Sequence, residues 1–131
     1  MVDATANPMG WPSGVLHTRT EYVDGQLADA CSRLTLEPRE PRGTAPLGLA
    51  FVIALRTLMD WGQFPDGGIM IGHEAEWVAP IDVPTTLQTT LALNPTGTRR
   101  RGRTKADLLY RSVSLEGHLI IQQRQTVLWP E

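Results

Sequence analysis

The chain has 131 residues, the length of one domain, since domains run roughly 100–200 residues, and enough to bury a single core. Its apolar and charged fractions of 41% and 20% are ordinary for a soluble globular protein. A net charge of −2 gives no global field for nucleic acid, and no apolar stretch approaches the roughly 20 residues that span a bilayer. The lone cysteine, Cys31, has no internal disulfide partner, which fits a reducing cytoplasm.

Residues 1–14 are small, polar and rich in proline and glycine. They read as a flexible N-terminal arm with Trp11 anchoring its end, ahead of a single domain over 15–131. The arm has no basic start and no apolar run, so it does not read as a signal peptide. Val15–Tyr22 reads as a short strand. Asp24 is placed to cap a helix running through Leu34, because its carboxylate can accept from the free amides of a first turn. Ala28, Cys31 and Leu34 would form the apolar side of that helix. Residues 35–46, TLEPREPRGTAP, hold three prolines and one glycine. Proline removes donors and biases the preceding residue away from helix, so this is a loop.

The central helix spans Leu47–Trp61. Leu47, Phe51, Ala54, Leu58 and Trp61 repeat at helical spacing, and Leu49, Val52, Ile53 and Met59 fill most of the remaining circumference. Arg56 and Asp60 mark its one polar edge, four apart and able to pair along it. So narrow a polar face predicts a helix enclosed on most sides. Thr44 or Pro46 marks its start and Gly62 its end.

PDGG at 65–68 is a turn. From Ile69 to Val78 the residues alternate, with Ile69, Ile71, His73, Ala75 and Trp77 on one face and Met70, Glu74 and Glu76 on the other. This predicts a half-buried strand. Thr85–Leu93 alternates in the same way. NPTG then opens a loop that runs into Arg99, Arg100, Arg101 and Arg103. Ala106, Leu108 and Tyr110 share one face of the next strand, Glu116-Gly117 marks a tight hairpin, and Leu119–Trp129 is the last strand. Short turns forbid parallel crossovers, so the sheet is antiparallel. One buried helix and an antiparallel sheet predict an α+β protein whose sheet wraps the helix.

The element order, with three short segments, resembles the hotdog fold, and more narrowly the MaoC-like (R)-specific enoyl-CoA hydratase and dehydratase group. Ala45-Pro-Leu-Gly-Leu49 is similar to the segment where a glycine opens that family's central helix. Glu76-Trp-Val-Ala-Pro-Ile81 is similar to its strand ending in a Pro–aliphatic step. Val113-Ser-Leu-Glu-Gly-His118 is similar to its final hairpin. The resemblance implies a protein that binds acyl-CoA or acyl-carrier thioesters, without a metal or other cofactor. It implies a thioester carbonyl held at the Gly48–Leu49 end of the helix, where backbone amides and the helix dipole favour negative charge. It also implies a homodimer or larger hotdog assembly, because a lone sheet leaves an edge that invites pairing.

In that family an Asp and a His five residues apart move the proton of the water that is added or removed, a task needing a group with a pKa near the working pH. No Asp in this chain is followed five residues later by a His. The corresponding loop offers Glu37 and Glu40. Glu37, with His73 as a displaced base, is the remaining candidate for catalysis. The alternative for His73 is a core-edge histidine with a satisfied hydrogen bond. Arg39 stands at a possible pocket mouth or pairs on the surface. Arg99 and Arg101 suit the phosphates of a coenzyme A tail or form a solvated hairpin tip; no aromatic residues interleave with them as in a nucleic-acid site. Gly48 either lets a ligand approach the backbone or lets the helix start pack closely.

The sequence therefore supports three functions. The first is an acyl-thioester-binding MaoC-like protein, a hydratase or dehydratase if active. The second is a non-catalytic subunit completing a partner's site. The third is a thioesterase, which needs a carboxylate near the thioester carbonyl, and on the central helix only Asp60 offers one, near the wrong end.

Overall fold

The computed structural model describes residues 14–35, 48–100 and 102–130, without the side chains of 34, 35 and 95–100. The elements follow in chain order as β1 (Gly14–Val23), α1 (Gly25–Thr35), α2 (Leu49–Trp61), β2 (Ile69–Trp77), β3 (Thr85–Arg100), β4 (Arg103–Ser114) and β5 (Leu119–Trp129). The strands form one antiparallel sheet in the order β1-β3-β4-β5-β2, with β1 and β2 at its edges.

The sheet's inner face carries α2. Near the helix start, Leu49, Ala50 and Ile53 pack with Val23, Leu87 and Ile121; toward its end, Ala54 and Leu58 pack with Leu91, Leu108, Tyr110 and Val127. This is the expected wrapping of a sheet around one helix. The Asp24 cap is present: the Leu27 amide donates to Asp24 Oδ1 at 2.9 Å, and Ala28 and Cys31 behind it are fully buried. Asp24→Ala should cost about 1 kcal/mol and lower Tm by roughly 3–5 °C, measurable by thermal unfolding. Gly62 ends α2 in the left-handed region (φ 68°), donating to the Leu58 carbonyl at 3.1 Å. The Glu116-Gly117 hairpin also forms, with Gly117 at φ 87°.

Four features depart from the sequence reading. First, β3 does not stop at Leu93: it continues through NPTG to Arg100, and Pro95 is accommodated beside a register shift between Pro95 and Arg99. A bulge is one of the few places a sheet tolerates proline. Second, α2 is not enclosed. Phe51, Leu55 and Met59, four apart, are 47%, 40% and 71% exposed, because the sheet and α1 cover the face of Leu49, Ala50 and Ile53 and no described element covers this one. Leu47, the expected first residue of α2, lies outside the described residues.

Third, β2 is an edge strand and is mostly exposed. A bulge between Met70 and Gly72 flips its alternation. Paired residues of antiparallel strands share a face, so Met70 opposite Val127 lies on the inner face with His73, Ala75 and Trp77, while Ile69 opposite Leu128 lies on the outer one. Fourth, Arg56 and Asp60 pair across to β1: Arg56 Nη1 lies 2.9 Å from Glu21 Oε2, and Asp60 Oδ2 lies 2.7 Å from His17 Nε2. His17 is thus a strand residue tied to the helix. The long arms of α2's polar edge meet charged partners on the inner face of β1, which four-residue spacing alone does not reveal.

Candidate functional site

β5 meets the core with Ile121, Gln123, Gln125 and Val127, all buried. Alternation fixes this face: the apolar ends of the run must point inward, so the two glutamines between them point inward as well. The register brings Tyr110 of β4 opposite Gln123, and both Leu108 of β4 and His73 of β2 opposite Gln125. Two hydrogen bonds tie this patch together. The Tyr110 hydroxyl donates to Gln125 Oε1 at 2.6 Å, and His73 Nε2 donates to Gln123 Oε1 at 3.0 Å. Burial pushes the Tyr110 hydroxyl well above its ordinary range, because the phenolate would be stranded away from water. It stays protonated and keeps donating.

Three nitrogens of the patch have no hydrogen-bond partner among the described residues: His73 Nδ1, Gln123 Nε2 and Gln125 Nε2. Leaving a buried donor unpaired costs about 1–3 kcal/mol, so this is an expensive way to fill the centre of a core. The neighbouring hydroxyls of Thr89 and Ser112, also buried, satisfy each other at 2.7 Å.

His73 joins this patch to the exposed side of α2. Its ring meets the Phe51 ring edge-to-face, with centroids 5.0 Å apart. Phe51 lies three residues, or about 4.5 Å along the helix axis, from Gly48. Gly48 occupies the N-cap position in right-handed helical geometry and makes no side-chain cap bond; Leu49 beside it is fully buried. The start of α2, Phe51 and His73 therefore form one region. From there Phe51, Leu55 and Met59 run down the helix as an exposed apolar strip, which meets β2 where Phe51 packs on His73.

Of the candidates read from the sequence, His73 touches the first turn of α2 through Phe51, three residues after Gly48, while Leu49 is buried in the core. His73 is held by a carboxamide rather than a carboxylate. Glu37, Arg39 and Arg101 lie outside the described residues. Arg99 is placed by its backbone alone, in β3 opposite Thr104. Near that hairpin, Arg103 donates to the Gly67 carbonyl. Gln123, Gln125 and Tyr110 did not emerge from the sequence reading; the signal for them was two glutamines two apart between inward-facing Ile121 and Val127. Asp60, the one carboxylate on α2, sits at its far end, bonded to His17.

A second polar group lies across the sheet. Glu21 is buried on β1, with one carboxylate oxygen on Arg19 and the other on Arg56. It clips α2 to the sheet's first strand.

No family model matches the chain, and no curated protein matches its sequence. Solved structures do match. An (R)-hydratase from A. caviae involved in PHA biosynthesis is 18% identical with a TM-score of 0.63, over 93% of this chain and 99% of that one. The HadBC (3R-hydroxyacyl-ACP dehydratase) complex from Mycobacterium tuberculosis is 13% identical with a TM-score of 0.69, over 89% and 97%. A 1,4-dihydroxy-2-naphthoyl-CoA thioesterase from Synechocystis is 11% identical with a TM-score of 0.61, over 88% and 81%. At these identities the likeness is one of fold: an antiparallel sheet around a central helix, the hotdog architecture that the sequence resemblance implied.

Proposed function

We propose that this hotdog chain binds acyl thioesters, with the thioester carbonyl at the Gly48–Leu49 start of α2 and the acyl chain along the strip of Phe51 and Leu55. The observation that carries this reading is the strip itself: an uncovered apolar face that begins at a helix N-terminus and passes a half-buried histidine. The first-turn amides and the helix dipole would polarise a carbonyl placed there. Arg39, Arg99 and Arg101 are the cations available for the carrier's phosphates. In a pair of copies joined along the free β2 edge, the second copy's strip would close over the first, giving a dry tunnel at the interface.

If the protein is a hydratase, His73 and Glu37 are its acid–base candidates. A second reading has specific support. His73 is oriented by Gln123, and a carboxamide lacks the charge by which a carboxylate would stabilise an imidazolium. With no Asp/His pair at the family's spacing, the chain suits a non-catalytic subunit that completes a partner's site. Two of the similar structures, HadBC and ChsH1-ChsH2, are complexes. The thioesterase reading ranks third, because Asp60 stands at the far end of α2.

The test is thermal unfolding of the purified protein with a panel of acyl-CoAs, while following hydration of the crotonyl-CoA double bond. A ligand at 100 times its Kd should stabilise by about 2.7 kcal/mol. Stabilisation with hydration supports an enzyme, and Glu37→Gln and His73→Ala should then slow it. Stabilisation alone supports the subunit reading. No response to any acyl-CoA would sink both.

A further inference from the structure

We infer that Gln123, Gln125 and His73 form a recess for an oxygen atom carried on the acyl chain itself, away from the thioester, so that the acyl group this protein takes is a hydroxy- or oxo-acyl group rather than a plain alkyl chain. This rests on the acyl-thioester reading and names the class of acyl group for that same site.

A hotdog core that only had to enclose an alkyl chain would continue the apolar run of Ile121 and Val127. Instead, the two positions between them are amides 3% and 0% exposed, and each keeps a nitrogen without a partner. Turning either amide over exchanges its nitrogen for its oxygen but still leaves one of the two unpartnered, since each has one atom engaged, by His73 or by Tyr110. The third unpartnered atom is His73 Nδ1. With Nε2 donating to Gln123, Nδ1 of the neutral ring is an acceptor. The amide donors match a hydroxyl or a ketone oxygen, and the imidazole acceptor, on the side of the ring away from Gln123, matches a donating hydroxyl.

The setting selects a ligand over the ordinary polar filling of a core. His73 lies at the rim, bonded inward to Gln123 and packed outward on Phe51, which is half-exposed on the apolar strip. The contacts run from Phe51 on the strip to the His73 ring and then to the Gln123 amide, apolar first and polar last. An acyl chain with an oxygen beyond its first few carbons has that order. An oxygen on the carbons next to the thioester would stay at the Gly48 end, about 4.5 Å along the helix axis before Phe51 is reached.

The experiment is calorimetric titration of the full chain with octanoyl-CoA, 3-hydroxyoctanoyl-CoA, 5- and 7-hydroxyoctanoyl-CoA and 7-oxo-octanoyl-CoA. At least one of the three remote-oxygen ligands should bind about tenfold more tightly than octanoyl-CoA, the effect of one hydrogen bond to an otherwise unpaired buried group. The 3-hydroxy compound should show no such gain. Gln123→Leu and Gln125→Met should bring the ratio back to near one. The comparison on the unaltered chain decides alone, whether or not either variant folds. Equal or tighter binding of octanoyl-CoA overturns the recess, leaving it a place for internal water, while the acyl-thioester reading stands. Binding of none of the five overturns both.

Discussion

Leu55→Asp should abolish the self-association proposed along the strip, with little change in the stability of the chain itself. Leu55 lies at the middle of the exposed strip between Phe51 and Met59. A carboxylate there is solvated in a lone chain, where surface substitutions usually stay within about 0.5 kcal/mol. In the proposed dimer the same carboxylate is buried against a second copy's apolar side chains. A central interface position commonly carries about 2 kcal/mol or more, so self-association should weaken by at least about 30-fold. Sedimentation across a concentration series measures this, with circular dichroism confirming the fold. A variant that remains as dimeric as the parent would place the interface elsewhere and leave the strip unexplained.

Glu21→Ala should be the most damaging change on the β1 side, by about 3 kcal/mol. Glu21 is 7% exposed in its side chain and holds Arg19 and Arg56 together. Removing one partner of a buried ion pair costs about 3–5 kcal/mol, because the remaining charge is left without its counter-charge. Arg56 is half-exposed and can turn to water, which puts the value at the lower end. Chemical denaturation should show the midpoint falling with an unchanged slope. Asp60→Asn, at the exposed His17 pair, should fall far short of that, within about 0.2–1 kcal/mol. The contrast separates a clip that holds α2 on the sheet from a pair that merely decorates its end.

These expectations rest on contacts that were only partly visible in the chain's spelling. The α2 stripe of Leu58, Ala54 and Phe51 was legible because helical period is a local property. So was the Asp24 cap, which spans three residues. The bulge at Ile71 was not: an extra residue in an apolar run keeps the look of alternation while moving Ile69 to the outer face and Met70 to the inner one. Nor was the length of β3, where Pro95 looked like a strand end and proved to lie beside a bulge. Of the candidate site, the Gly48 end of the helix and His73 were named from the sequence, but nothing local says that Phe51, one turn from Gly48, packs on His73.

What the sequence determined by itself was the order and type of the elements and the antiparallel plan, because periodicity, capping and turn chemistry act within a few residues; the hotdog likeness came from the resemblance of that order and of three short segments. It also settled the absence of an Asp and His five apart. The tertiary structure decided which side of each element stays open and which polar groups become neighbours. Gln123 and His73 are 50 residues apart, and His17 and Asp60 are 43 apart; each pair meets only because strand register and the crossing of α2 set the distance. The apolar strip has the same origin. A helix apolar nearly all round reads as buried, yet Phe51, Leu55 and Met59 stay exposed, and nothing among the described residues covers them.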